Sequence, residues 1–177
     1  MLFWTVGVTC AVIFVTLGRR RIDYRVVILG SLLPDLIDKP LGRILIPRLE
    51  TSHVVGHTLL LSLTLLFGIQ LFMRGDRARR WFVLPMAVMI HLALDGMWNE
   101  PRVLYWPLFG LQFPPFHVGS YWLFVLARLR EPITIVQELV GLGILLYMAW
   151  AYRLFDRDIF RRFMRDGLLT ERVKLPS

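Results

Sequence analysis

Five apolar segments separated by short polar connections dominate the pattern along the chain. They cover Leu2–Leu17, Tyr24–Ile37, His53–Met73, Trp81–Trp98 and Ile133–Tyr152. A helix that crosses a bilayer needs about 20 mostly apolar residues, so the second segment either crosses with help from Ile22 or stops within the bilayer. Gly30, Ser31 and Pro34 predict a bend in it, at a depth where irregular backbone must be covered by protein or water. The pattern predicts an all-α, polytopic membrane helix bundle.

Two further stretches have patterns of their own. Asn99–Glu131 is rich in aromatic residues and proline, which excludes one continuous helix and favours broken helices in the membrane interface. Beyond the last apolar segment, apolar residues and arginines alternate at helical spacing, typical of an amphipathic helix lying on an anionic membrane surface. We therefore predict a membrane-embedded domain, residues 1–152, followed by a basic amphipathic tail, residues 153–177.

Composition narrows the class of protein further. The 177 residues suffice for one domain, and 56% are hydrophobic with a mean hydropathy of +0.57, too apolar for an ordinary soluble domain. The net charge of +8 comes from arginines placed between the apolar segments, a distribution that sets membrane topology. We therefore expect membrane lipids as partners and no nucleic acid. The single cysteine, Cys10, excludes an intrachain disulfide.

The distribution of charge predicts an orientation. Five crossings with the N-terminus outside place 15 of the 21 lysines and arginines on the inner side and 6 on the outer side, in agreement with the positive-inside rule. The chain is then an integral protein of the cell (inner) membrane, with its C-terminal tail in the cytoplasm.

Three pairs of polar residues share the outer end of this predicted bundle. The pairs are Asp35 with Asp38, His53 with His57, and His91 with Asp95. Residues three or four apart lie on one face of a helix, so each pair can present two ligands to one point. Imidazole and carboxylate together suit a divalent metal, zinc first and then manganese or iron. Six candidate ligands exceed those of one tetrahedral zinc, so one ion and two ions both stay open.

Each candidate also has a purely structural interpretation. An aspartate at a helix end such as Asp38 is commonly a cap, whereas ionisable groups within membrane segments usually mark a functional site. Glu138 could act as a base or further ligand, or simply be solvated. Four cations could hold a substrate phosphate or be ordinary exposed loop residues: Lys39, Arg43, Arg48 and Arg102.

These motifs carry a family resemblance. GSLLPDLIDKP at residues 30–40, GHTLL at 56–60, HLALDG at 91–96 and LYWP at 104–107 resemble the membrane-bound metal-dependent hydrolases. That family is also described as LexA-binding, inner-membrane-associated hydrolases, the YdjM-like group. The resemblance runs from about residue 28 to 110 and implies a polytopic membrane protein with a His/Asp metal site and hydrolase activity.

The match to the family pattern differs between positions. Asp35, His57, His91 and Asp95 match directly. The first motif carries one extra residue before Asp38, Lys39 stands where the family often has histidine, and His53 precedes His57 by four residues instead of five.

Two functions follow as hypotheses. In the first, Asp35, His57, His91 and Asp95, assisted by Asp38 and His53, bind a metal that lowers the pKa of a water molecule for attack on a phosphoester of a lipid or lipid-linked substrate. In the second, the cluster is a structural or ion-path site in a non-enzymatic membrane protein. Docking of a protein partner on the basic tail is compatible with either.

Overall fold

The structure is a computed structural model that describes residues 1–17, 22–41, 53–113, 126–128 and 130–169. Within these ranges the fold is all-helical and contains no strand. The α-helices are α1 Leu2–Leu17, α2 Tyr24–Pro40, α3 Leu59–Phe72, α4 Gly75–Trp81, α5 Val83–Leu94, α6 Pro101–Leu104, α7 Pro132–Ala151 and α8 Arg157–Asp166. Two 3₁₀ turns, Val55–His57 and Met97–Asn99, precede α3 and α6.

Two of the helices are shorter than their apolar segments: α3 has 14 residues within His53–Met73, and α5 has 12 residues within Trp81–Trp98. Among the described helices, α7 with 20 residues has the length and apolar composition needed to cross a membrane, while α1 and α3 are shorter apolar helices. Five crossings are therefore not confirmed. The shortening has a local cause, because polar residues end the helices: the Thr58 hydroxyl caps α3 by accepting from Leu61 N, and Asp95 with left-handed Gly96 ends α5.

Helix α2 packs closely on α5 and on α1. A Cβ at Gly30 would lie 2.7 Å from the carbonyl oxygen of Leu84 and 2.8 Å from Cβ of Ala87, so only glycine permits this approach. The helix is unbroken across Gly30, Ser31 and Pro34, where the sequence predicts a bend. Val27 and Ile13 are fully buried in the core that forms between these helices.

The other close helix crossing joins α1 to α7. Gly7 and Gly141 face each other so closely that a Cβ on either would collide with backbone of the opposite helix. At the same junction the Glu138 carboxylate accepts a hydrogen bond from Phe3 N, 2.8 Å away, in the first turn of α1. The contact satisfies one of the amides that every helix leaves free at its N-terminus.

The amphipathic helix predicted in the tail exists as α8, and its apolar face packs on the protein. Ile159 and Phe163 are buried, and Phe163 belongs to the core beneath α1, α2 and α5. Gly167 ends α8 in the left-handed conformation, φ 72°, and its carbonyl accepts a hydrogen bond from Tyr24 N at 2.8 Å. The Arg25 guanidinium donates to the carbonyls of Met164 and Arg165. Helix α8 is therefore docked on the start of α2.

Candidate metal centre

The carboxylate of Asp38 holds the turn that carries His57. It accepts hydrogen bonds from the backbone amides of Val54, Gly56 and His57 at 2.6, 2.6 and 3.1 Å, and from Nδ1 of His57 at 2.7 Å. Asp38 and His57 are fully buried. Since the carboxylate can only accept, Nδ1 of His57 carries the proton.

His91 is oriented in a comparable way by backbone. Its Nδ1 lies 2.6 Å from the carbonyl oxygen of Ser31 and donates to it, and its ring is fully buried. With Nδ1 protonated in both histidines, each neutral imidazole has its lone pair on Nε2. The Nε2 atoms of His57 and His91 face each other at 3.4 Å.

Two carboxylates complete the group. Oδ2 of Asp95 lies 3.3 Å from Nε2 of His91 and 3.6 Å from Nε2 of His57, and Oδ1 of Asp35 lies 3.9 Å from Nε2 of His57. One donor atom from each of the four residues lies within 4.8 Å of all the others. The structure thus brings together residues from α2, the first 3₁₀ turn, α5 and the residue that ends α5.

The geometry of these four groups fits a metal ion. Four atoms with lone pairs converge on one point, and without a cation between them they would repel each other. Ligands about 2.0–2.1 Å from a tetrahedral zinc are separated by about 3.3–3.4 Å, close to the shorter distances here. Metal-binding histidines usually donate the N–H of their other ring nitrogen to a carboxylate or a carbonyl, as His57 and His91 do here. The group can therefore hold a metal ion, whose identity the geometry leaves open.

The group is buried on the histidine side and opens on the carboxylate side. The side chains of Asp35 and Asp95 are 20% and 19% exposed, whereas those of the two histidines are 1% exposed or less. At the open side, the half-exposed ammonium of Lys39 lies 2.6 Å from Oδ2 of Asp35. One cation of the chain therefore already neutralises part of the acidic charge.

Two further predicted ligands have other places in the structure. Asp38 does not face the four donors, because the turn and His57 Nδ1 engage both of its oxygens. His53 lies beside His57, with ring centroids 4.4 Å apart, and its Nδ1 is 3.2 Å from the Glu100 carboxylate. This hydrogen bond from His53 holds the pKa of Glu100 below its usual value. Neither residue belongs to the four-donor group: Asp38 holds the turn of His57, and the ring of His53 lies beside the His57 ring.

The remaining predicted residues are spread more widely. Glu138 is bonded to the start of α1, as described above, and is not a member of the four-donor group. Arg102 is exposed on α6. Arg43 and Arg48 lie outside the described residues.

Sequence reasoning missed the groups that orient the histidines through the backbone. The Ser31 carbonyl and the amides of Val54 and Gly56 have no side-chain signature, so residue types cannot indicate them. Glu100 has a recognisable type, but it is distant in sequence from His53 and no spacing rule connects the two.

The described residues thus form a helical protein with one helix of membrane length and a candidate metal centre made of two buried histidines and two partly exposed aspartates. The chain belongs to the YdjM inner membrane protein family, which it matches over residues 4–160. The family resemblance predicted from the motifs is thereby confirmed, and so is a membrane location. No curated protein and no solved structure is significantly similar to the chain.

Proposed function

We propose that the protein is a membrane-embedded, metal-dependent hydrolase that cleaves a phosphoester or related ester of a lipid or lipid-linked substrate. The observation that carries the proposal is the convergence of four metal-binding atoms, from Asp35, His57, His91 and Asp95, on one partly open point. Buried ionisable groups are costly in a membrane protein and usually mark function.

The centre is built for one ion, and zinc is the first choice. Because Asp38 is engaged by the turn and His53 is hydrogen-bonded to Glu100, four donors remain for a single tetrahedral zinc, and the fourth position is left to water when Asp35 stays with Lys39. The net charge of the surrounding side chains also favours a single divalent ion. The carboxylates of Asp35, Asp38 and Asp95 against Lys39 leave two negative charges, which one divalent ion balances.

The chain's own groups prepare the site for hydrolysis. Asp38 and the Ser31 carbonyl keep the proton of each histidine on Nδ1, so both Nε2 atoms are free to bind. A divalent ion held there would supply a Lewis acid and a more acidic water. Burial of both histidines keeps bulk water on the carboxylate side only. The Lys39 ammonium at that side is placed to bind an anionic oxygen of the substrate while it holds Asp35.

The surroundings of the open side favour an amphiphilic substrate. Leu36 follows Asp35 and is 57% exposed. Beyond Asp95, the second 3₁₀ turn, α6 and the turns after it expose further large apolar side chains: Trp98, Tyr105, Leu108, Phe109 and Leu111. A headgroup phosphate at Lys39 with acyl chains along this apolar rim combines both features, and such a substrate is available in the bilayer itself.

The two ends of α2 carry different features, and this supports the membrane orientation inferred from the distribution of charge. The candidate centre lies at the C-terminal end of α2, and α8 with its arginines is docked at the N-terminal end. Along α2, Asp35 comes eleven residues after Tyr24, which at about 1.5 Å each separates the two by about 17 Å. We infer that the centre opens near the outer face and that the basic tail is cytoplasmic.

The test is metal analysis and lipid phosphoester hydrolysis with the purified full-length protein. We expect about one zinc per chain after dialysis, and hydrolysis that is lost in His91→Ala and Asp95→Asn. Asp76→Asn, on exposed α4, is the matched control and should keep both properties. A chain that binds no metal, or variants that hydrolyse lipid phosphoesters at the wild-type rate, would overturn the proposal.

One observation favours a structural site as the second candidate. Four protein donors can saturate a tetrahedral ion, and closed four-ligand sites are typical of structural zinc. The two functions differ in whether Asp35 binds the ion or stays with Lys39. A cobalt-substituted protein distinguishes them, since its visible spectrum changes with added phosphate only if a position is open to exchange.

A further inference from the structure

Two short basic helices lie at the end of the bundle opposite the candidate centre. Residues 74–81, which include α4, and residues 157–166, which form α8, together contain eight arginines and three aspartates. No residue of α4 is buried. We call the combined surface of α4 and α8 the basic surface.

The two helices pack on one core and interact electrostatically. Ala78 and Trp81 of α4 pack against the same core that contains Phe163 of α8. Asp166, at the end of α8, lies within electrostatic reach of Arg80. The hydrogen bond from Arg165 lowers the pKa of Asp166, and the charges of Arg25 and Arg80 add to that effect. The arginines of α4 and α8 therefore contribute to one field.

The C-terminal end of helix α8 is held on the bundle by hydrogen bonds. Its last carbonyls are bonded to Arg25, and Gly167 is bonded to Tyr24. Some charge is neutralised within the helix, where Arg161 lies 3.9 Å from Asp158 and Arg165 lies 3.0 Å from Asp166. Both are exposed pairs, which contribute little, so most of the positive charge stays available to a partner.

The exposed face of α8 is not uniformly polar. Phe160 and Met164 are 46% and 53% exposed and lie beside Arg157 and Arg161 at helical spacing, and Phe155 just before the helix is 69% exposed. Arginine beside large apolar residues on one exposed helix edge is the pattern of a helix at a membrane interface. Burial of Ile159 and Phe163 against the bundle leaves this second apolar edge uncovered.

The position along the chain places this edge at the membrane boundary. Helix α7, the membrane-length helix, ends at Ala151, and α8 begins at Arg157. The five residues between them allow only a short separation. The exposed apolar edge of α8 therefore lies next to the bilayer surface.

We propose that the basic surface of α4 and α8 binds the headgroups of anionic phospholipids in the leaflet where α7 ends. Arginines contact the phosphates, and Phe155, Phe160 and Met164 enter the upper acyl region. A nucleic acid would leave these apolar side chains without apolar contacts, which is why lipid is the better fit. The proposal is independent of the hydrolase activity, since the candidate centre lies at the other end of α2.

The test measures lipid composition next to α8 in vesicles of phosphatidylcholine and phosphatidylglycerol. A fluorophore is attached at Phe160→Cys in a Cys10→Ala background, and quenching by brominated phosphatidylglycerol is compared with quenching by brominated phosphatidylcholine. We expect phosphatidylglycerol to be enriched at position 160. Each of Arg157→Gln and Arg161→Gln should lower the enrichment about fivefold, the effect of one arginine at an anionic surface.

The matched controls lie elsewhere on the chain. The double variant Arg128→Gln with Arg130→Gln removes two exposed arginines ahead of α7 and should leave the enrichment unchanged. A fluorophore at Leu108→Cys, 82% exposed beyond α6, should report a weaker enrichment. Equal quenching by the two lipids at position 160 of the otherwise unaltered chain would overturn the proposal.

A second measurement does not depend on the arginine substitutions. In the labelled chain that keeps all its arginines, raising the salt concentration should reduce the enrichment at position 160, because salt screens exposed charges. Enrichment that persists in high salt contradicts electrostatic recognition. Arginine-dependent binding of an oligonucleotide, with no lipid preference, would assign the surface to nucleic acid instead.

Discussion

The carboxylate of Asp38 lies 2.7 Å from Nδ1 of His57 and also accepts three backbone hydrogen bonds from the turn that carries this histidine. One buried residue therefore fixes the turn, the ring orientation and the position of the proton on His57. Substitutions can separate these roles from those of the four donor residues.

Asp38→Asn should weaken metal binding without removing a ligand. The variant loses the negative charge that favours a protonated Nδ1 and a basic Nε2 on His57, and loss of such an outer contact typically costs about 10–100-fold in metal affinity. Competition with a chromophoric chelator measures the affinity. Asp76→Asn is the control. If Asp38→Asn bound the metal as tightly as the unaltered protein, Asp38 would not act through His57.

His91→Ala and His53→Ala should differ in the amount of bound metal. His91 supplies one of the four converging atoms, whereas His53 is bonded to Glu100 beside the group. Metal analysis of the dialysed proteins should therefore find metal lost from the first variant and retained by the second. Loss of metal from both variants to the same extent would move His53 into the ligand set.

Gly56→Ala should destabilise the protein, because a Cβ there would lie 2.5 Å from the Pro34 carbonyl oxygen and 2.7 Å from Oδ1 of Asp38. We expect a loss of about 1–3 kcal/mol in the free energy of unfolding, the usual effect of overpacking. Gly68→Ala is the matched control. Its Cβ would meet no atom within 4 Å, and alanine within a helix should stabilise by about 0.5–1 kcal/mol. Denaturant unfolding of both variants gives the comparison.

The ion pair at the start of α2 should make stability depend on acid pH. Burial alone would raise the pKa of Asp23, but the hydrogen bonds and charge of Arg25 outweigh it and hold this pKa below its ordinary value. A carboxyl group with a lowered pKa stabilises the folded state above its unfolded pKa, and this contribution is lost as pH falls through the folded value.

Asp23→Asn should therefore be less stable than the unaltered protein at pH 7. The difference should shrink as pH falls below about 4, near the unfolded pKa of aspartate. Thermal unfolding from pH 7 down to pH 3 measures it, with Asp76→Asn as the control. A difference that stays constant over this range would mean that the Asp23 charge does not stabilise the docking of α8.

The sequence predicts the ligands of the candidate metal centre better than it predicts the helix ends. The four donors follow from residue type, spacing and family motif, because ionisable groups are costly at the ends of apolar membrane segments and usually mark a functional site there. The role of Asp38 could not follow, since spacing shows only that Asp35 and Asp38 share a helix face. Which of the two carboxylates meets the turn Val55–His57 depends on how distant segments pack.

Hydropathy also could not predict where α3 begins and where α5 ends. His53–Met73 is apolar almost throughout, yet its first residues form a 3₁₀ turn because Asp38 binds their amides. For α8, periodicity predicts the helix and its apolar face but not its partner. Ile159 and Phe163 would suit lipid as well as the protein core, and the contacts of Arg25 and Gly167 decide in favour of the core.

The crossing of α1 and α7 has a consequence for biogenesis. Phe3 and Glu138 are hydrogen-bonded although they are 135 positions apart in the chain. Helix α1 is therefore synthesised long before α7, the helix on which it packs. Until then its glycine face is open to other membrane components. Insertion of α1 can therefore precede its assembly with α7, because the contact with Glu138 can form only after α7 has been synthesised.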